Sequence, residues 1–393
     1  MLSNVLVIGA AAIAAAVMLW PRVSASARWR ATKTPLASII GSGFLVLGPV
    51  LLDHFGPYAP AVMAGLCLVA YGFGAAIRYN ILRLDAGAPV QAGAETLSAW
   101  VLSAAYIISV AYYLNLFGAF AVAMISGLPD ASARVVTTAV YLAILLAGLR
   151  GGFHALERLE QVSVGIKLAV IAGLLAALGG DVLQGGGEII HPVPKMNGWA
   201  AITLGLGLLV TVQGFETSRY LGGEYSAQMR VRSMRGAQWL SSIIYVAYIG
   251  LIVLIFAADD VPFSETAVID MMALVAPILP PLLIFAALSA QFSAAVADMG
   301  GAGGLLSELT HRRLTAQQSY VLLVGAGLAL TWALKVFEII AWASRAFAAY
   351  YAIQAGIAAR YAIAEGYRGR AAALIVFVVI GAASAIFGAA VEV

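Results

Sequence analysis

Long apolar runs recur from one end of this chain to the other, separated by short stretches that hold most of its charge. Each run is close to the ~20 residues an α-helix needs to cross a bilayer. Twelve spans are expected, over 3–20, 35–52, 59–79, 98–127, 133–149, 161–180, 199–218, 237–257, 277–304, 318–335, 338–360 and 371–391. The runs are too long for barrel strands and lack their period-two alternation. The pattern predicts an all-α polytopic membrane protein with a single transmembrane domain over 1–393. The longest polar connections, 78–98, 180–198 and 222–236, are too short for a separate fold.

Charge orients the pattern. Only 10% of the 393 residues are charged and 62% are hydrophobic, whereas a soluble domain is about a quarter charged. With the amino terminus outside, the inner connections hold Arg22 to Lys33, Arg78 and Arg83, Arg150 and Arg158, Arg219 to Arg235, Arg312 and Arg313, and Arg360 to Arg370. The outer side keeps only Arg134, Lys195 and Lys335. By the positive-inside rule both termini are expected outside a cell membrane. The first run is followed by "VSASA", which resembles a cleavage site. Its basic cluster follows the run rather than preceding it, so a retained helix is expected.

The Gly- and Pro-rich stretch 180–198 divides the chain further. It leaves 3–20 as an extra first helix, five helices over 35–180, five over 199–360, and an extra last helix over 371–391. The two groups would enter the membrane from opposite sides, which is the inverted-repeat plan of secondary transporters. That plan asks for an interruption in the leading helix of each group. "TPLASIIGSGFLVLGPVLL" offers Gly41-Ser42-Gly43, and "ITLGLGLLVTVQGFETSRYLGG" offers Gln213-Gly214. Glycine lowers the cost of unwinding. A lone "GSG" is more often a helix-packing device, but two breaks at matched places favour broken helices.

Several segments resemble a known family. "RYLGGEYSAQMRVRSMRGAQWLSSIIYVAYIGL" resembles the segment after core helix six of the sodium/solute symporters, and "IFAALSAQFSAAVADMGGAGGLLSEL" resembles their core helix eight. "IIGSGFLVLGP" and "GFE" resemble the leading helices of amino-acid permeases. The chain thus looks like a sodium/solute symporter-like member of the amino acid–polyamine–organocation superfamily, with the LeuT fold. The resemblance implies sodium-coupled symport of a small solute by alternating access. It also implies a sodium site made by helix-eight hydroxyls and first-helix carbonyls, here Ser289 and Ser293 with Ala37 and Ile40. In the family the hydroxyls are adjacent; here they lie four apart on one helical face.

Ionisable groups at membrane depth supply the candidate chemistry, since each costs about 2.5–3.5 kcal/mol on insertion scales. Lys167 and Glu338 lie near enough to an interface to be solvated and are expected to be structural. Glu216 reads as a proton-coupling carboxylate or the partner of a solute ammonium; the alternative is a clamp to Arg219 or Arg345. Asp298 would line the ion pathway or carry a proton; the alternative is a cap on a helix break at "MGGAGG". Arg345 is expected to be paired, because arginine keeps its charge.

Solute is expected near Ser42, Gly43, Tyr113, Gln213 and Glu216. Tyr106, Asn115, Phe117, Trp342, Tyr350 and Tyr351 are further pocket candidates; the alternative for each aromatic is a helix–helix or lipid-belt contact. Amide ends at the breaks would favour a carboxylate-bearing solute, an amino acid or organic acid. No cofactor is expected beyond a coupling ion, sodium or alternatively the proton. His54, His154, His191 and His311 fall in four connections, the one Cys67 lies in a span, and no catalytic motif appears, so no enzyme is expected. The basic run 230–235 suits anionic headgroups rather than nucleic acid. The expected partners are thus a small-molecule solute and the bilayer. A non-transporting sensor or assembly protein on the same scaffold is the alternative from another class.

Overall fold

The computed structural model describes residues 2–41, 43–123, 125, 128–129, 131–151, 154–185, 194–257 and 263–392, side chains at 2 and 151–163 excepted. Every regular element among them is helical. The first part of the chain gives α1 (Leu2–Leu19), the single turn α2 (Pro21–Ser24), α3 (Ala27–Ile39), α4 (Gly43–Phe55) and α5 (Ala59–Asp85). Then come α6 (Ala92–Val122), α7 (Ser132–Gly151), α8 (His154–Leu183) and α9 (Gly198–Gly207). Two 3-10 turns, Leu209–Val212 and Phe215–Tyr220, follow before α10 (Ala227–Ile255) and the short α11 (Ala267–Val275). Last are α12 (Leu279–Leu309), α13 (Ala316–Ala333), α14 (Val336–Ala364) and α15 (Arg368–Phe387).

Eight helical stretches among the described residues are long and apolar enough to cross a membrane. One of these, Gly43–Asp85, holds two expected spans. Its 43 residues would measure roughly 65 Å as one helix at 1.5 Å per residue, twice a hydrocarbon core, and the chain turns at Gly56–Tyr58. The remaining three expected spans fall on shorter, interrupted or more polar elements: α1, α9 with its two 3-10 turns, and α13, whose first turn carries Gln317, Gln318 and Ser319.

Local chemistry sets the helix ends. Ser226 accepts the Met229 amide and starts α10 ahead of its apolar run, so Arg230, Arg232 and Arg235 lie on its first turns. Thr315 and Gln318 form a reciprocal capping box at α13. Glu338 accepts the Lys335 amide at 2.7 Å at the start of α14, where an acid also suits the helix dipole. In contrast with the break considered at "MGGAGG", α12 is continuous through Asp298 to Leu309. Gly303 there serves packing, since a Cβ on it would lie 2.3 Å from the Tyr320 ring.

The centre of the bundle is built on α6, α12 and α14, with α5 against α10 and α1 along α8. The two leading helices cross it in pieces. α3 packs on Phe215–Tyr220, and α4 packs on Leu209–Val212. The first part of one leader therefore lies beside the last part of the other, so the leaders run antiparallel.

Candidate functional site

Both leading helices lose their helical hydrogen bonding inside the bundle, next to each other. The first stops at Ile39 and resumes at Gly43; Ser42, expected at the solute site, lies outside the described residues. The second passes from Leu209–Val212 through an extended Gln213 and a left-handed Gly214, φ +112°. A Cβ at Gly214 would lie 2.4 Å from Ser38 Oγ, and one at Gly43 2.8 Å from Thr211 Cα. Small residues are what let the two interruptions touch.

Unwound backbone needs new partners when it is buried. At the first interruption the Ala37 carbonyl accepts from Lys167 Nζ at 3.0 Å. The Tyr245 hydroxyl reaches the Ile39 carbonyl at 2.9 Å and the Thr211 carbonyl at 2.8 Å. With one proton it can donate to only one of them at a time, so Tyr245 bridges the two breaks. At the second, the Val210 amide donates to Ser344 Oγ at 2.9 Å. The Gly214 amide donates to Glu216 Oε2 at 3.0 Å, and the same oxygen accepts from the Tyr351 hydroxyl at 2.7 Å.

Gln213 joins this cluster through its amide nitrogen, 3.2 Å from the Tyr113 hydroxyl. Gln213, Glu216, Tyr113 and Tyr351 are all buried. The Tyr351 ring is stacked between Phe73 and Phe215, with centroids 5.1 and 5.0 Å away. That clamp aims its hydroxyl at the carboxylate. The result is an aromatic-walled polar cluster: a carboxylate, a carboxamide and two phenols around two helix interruptions. Such a set presents hydrogen-bond donors and acceptors side by side, with the Glu216 carboxylate as its ionisable member.

Contrary to the expectation from its place in the run, Lys167 is not solvated at an interface. It is only 6% exposed and lines a small cavity with Ile40, Gly41 and Phe44. The cavity, about 20 Å³, has room for roughly one water. α12 contributes Leu283, Ala286, Ala287 and Ala290 to its wall; Ser289 and Ser293 are not in that lining. One turn past Ala287, Gln291 is fully buried, and neither atom of its amide has a hydrogen-bond partner among the described residues. A buried carboxamide with nothing to bond requires an explanation.

The remaining candidates are placed elsewhere. Glu216 is not clamped to Arg219 or Arg345. Arg219 instead pairs with Glu95, 2.7 Å, and bonds Gln354. Gln354 also accepts from Asn80 and donates to Ser98, so a buried polar knot ties α5, α6 and α14 to the end of the second leader. Arg345 finds carbonyls rather than an acid, those of Ala385 and Ile386, and lies 4.8 Å over Trp342. Asp298 accepts from Ser109, linking α12 to α6. Asn115 bonds Thr331 at 2.8 Å and holds α6 to α13. Tyr350 lies 3.4 Å from the Tyr220 hydroxyl, Tyr106 packs on Phe347, Phe117 is half-buried and Trp342 is exposed. His54 sits beside Asp53, which Lys195 also pairs at 2.6 Å. His311 is in the turn after α12; His191 and the His154 side chain lie outside the described residues. No group of three metal-ligating side chains occurs among the described residues.

Tyr245, Ser344 and Gln291 were invisible as site residues in the sequence. A mid-span Tyr, Ser or Gln carries no signal that it faces a break until the helices are packed.

Comparison with known proteins agrees with this geometry. A protein of Aquifex aeolicus (strain VF5), itself described as an uncharacterized protein, is 39% identical over 333 residues, covering 80% of this chain and 79% of its own length. A family model described as APC superfamily transporter matches residues 21–388. With nearly its whole length matched, and with apolar helices long enough to span a membrane many times over, the chain belongs to the APC superfamily of transporters.

Proposed function

We propose that the protein is a secondary-active transporter of a small carboxylate-bearing solute, an amino acid in the first instance, working by alternating access with the proton as coupling ion. In this reading it has twelve spans in two inverted five-helix repeats, with both termini outside. The antiparallel contact of the leaders and their adjoining interruptions support the repeat.

The observation that carries the choice of ion is the contact of Lys167 Nζ with the Ala37 carbonyl. Resemblance to sodium/solute symporters implied a sodium ion against that carbonyl, with helix-eight hydroxyls opposite. Here an ammonium supplies the positive charge, and the facing wall of α12 is alanine. A lysine, unlike an arginine, can shed its proton when buried. The same spot then alternates between charged and neutral, as a sodium site alternates between filled and empty.

Solute would sit by Gly43, Tyr113, Gln213 and Glu216, with Gln291 supplying a carboxamide that has no other partner among the described residues. A solute carboxylate can take the Gly214 amide that Glu216 now holds, and protonation of Glu216 weakens its hold on that amide.

The test is uptake of amino and organic acids into proteoliposomes under imposed gradients. An inward proton gradient in sodium-free buffer is expected to drive uptake, and Lys167→Arg, charged but unable to cycle, is expected to abolish it while the protein stays folded. Uptake driven by a sodium gradient at equal pH, with no response to protons, would return the site to sodium. No accumulation of any solute under either gradient would favour the sensor alternative.

A further inference from the structure

α10 and α15 both lean on α5, and between them opens a second cavity, of about 420 Å³. Four arginines line it: Arg78 and Arg83 from α5, Arg235 from α10 and Arg370 from α15. Their surroundings are not those of an ordinary solvated charge cluster. Arg78 is buried, bonded to the Gln238 side chain and the Tyr71 carbonyl, and lies 4.6 Å over the Tyr71 ring. It sits two turns inside α5, at the deep end. Arg83 pairs with Glu365 at 2.9 Å and stacks on Tyr79. Arg370 stacks on the same ring, 5.0 Å away, and on Tyr367. Arg235 is exposed at the mouth. Among the described residues neither Arg235 nor Arg370 has a carboxylate within ion-pair distance.

The rest of the wall is apolar: Gly72 and Ala75 of α5, Val231 of α10, and Ala373, Leu374 and Phe377 of α15. Outside it the flanking helices present exposed Trp239, Leu240 and Ile243 on one side and Ile375, Val376 and Val379 on the other. The cavity therefore has a cationic end at the helix termini and a hydrocarbon-compatible end toward the middle of the span. A soluble anion would match only the first; a phosphodiester with acyl chains matches both.

We propose that this cavity is a binding site for an anionic phospholipid. Its phosphate is held by Arg235 and Arg370, with Arg83 and Arg78 behind, and an acyl chain lies against Leu374 and Phe377. The shared chemistry is the phosphate group, and the apolar wall assigns it to a lipid rather than to a free phosphate ester. The site touches α5, which also carries Phe73 of the aromatic clamp and Asn80 of the buried polar knot.

The experiment is native mass spectrometry and thermal unfolding of the delipidated full chain, with phosphatidylglycerol, phosphatidylethanolamine or sn-glycerol 3-phosphate added back. Phosphatidylglycerol is expected to give a retained 1:1 adduct and a raised midpoint, with phosphatidylethanolamine and glycerol phosphate giving neither. The Arg235→Gln/Arg370→Gln protein is expected to bind phosphatidylglycerol about thirtyfold more weakly, the loss of two interfacial cations, with an unchanged midpoint in its absence. Arg232→Gln/Arg368→Gln removes two exposed charges outside the cavity and is expected to bind as the parent does. Equal binding of the two phospholipids, an equal shift by glycerol phosphate, or an equal loss in the control pair would each overturn the proposal.

Discussion

The first interruption offers the bundle interior a carbonyl, and the second offers it an amide. The first is met by a cation from another helix, Lys167 of α8. The second is met by an anion two residues along its own chain, Glu216. Each break exposes a carbonyl end and an amide end of opposite partial charge; a cation meets the carbonyl end of the first and an anion the amide end of the second. The difference in origin matters as much as the sign. Glu216 and its amide move together, whereas the Lys167 contact spans α8 and the end of α3 and lasts only while those elements stay in register. One partner is built into a leader; the other reports where a leader stands relative to the rest of the bundle.

The heaviest blow to this pairing should come from Gly214→Ala. The added Cβ would lie 2.6 Å from the Ser38 carbonyl carbon at a φ of +112°, so a loss above about 4 kcal/mol is expected. Gel filtration of the detergent-solubilised protein should show little monodisperse material.

Lys167→Met separates the two interruptions more gently. It leaves the Ala37 carbonyl without its ammonium donor at a cost of about 1–3 kcal/mol, read as a lower thermal midpoint, and should stop uptake. Glu216→Gln keeps the shape but exchanges charged for neutral hydrogen bonds to Gly214 and Tyr351, a loss of about 1 kcal/mol. Its uptake should lose most of its dependence on pH; a pH profile identical to the parent's would remove Glu216 from coupling.

Tyr245→Phe removes the single proton shared between the Ile39 and Thr211 carbonyls and should cost about 1 kcal/mol. Gln291→Leu comes last for the fold. Taking away a buried carboxamide that has no partner among the described residues should leave the midpoint unchanged or higher, while solute affinity falls. If affinity is untouched, Gln291 does not face the solute.

Much of the architecture was readable from residue order because the bilayer makes two strong demands. Spans must be apolar and about 20 residues long, and their backbone must bond internally. Both demands leave marks that need no tertiary information, which is why the helices fall where the apolar runs are. Gly41 and Gly214 marked the interruptions for a similar reason, since their cost is local. Partner choice was not readable in the same way. Glu216 could be singled out as an acid at depth, but its link to Tyr351 rather than Arg219 depends on where α14 packs. Lys167 looked interfacial by its position in a run, and the packing of α8 on the first leader buried it. Ser289 and Ser293 share a face four residues apart, yet the rotation of α12 presents Ala286, Ala287 and Ala290 to the cavity instead.

By itself, then, the order of residues determined a multi-pass helical protein, the positions of most of its long helices and the two glycine-marked breaks, since hydrophobicity and backbone conformation act within a segment. Which carbonyl meets Lys167, which hydroxyl meets Glu216 and which carboxamide is left unbonded were decided only by the rotation and register of packed helices. A few degrees of turn about a helix axis exchange one neighbour for another without altering the apolar pattern at all.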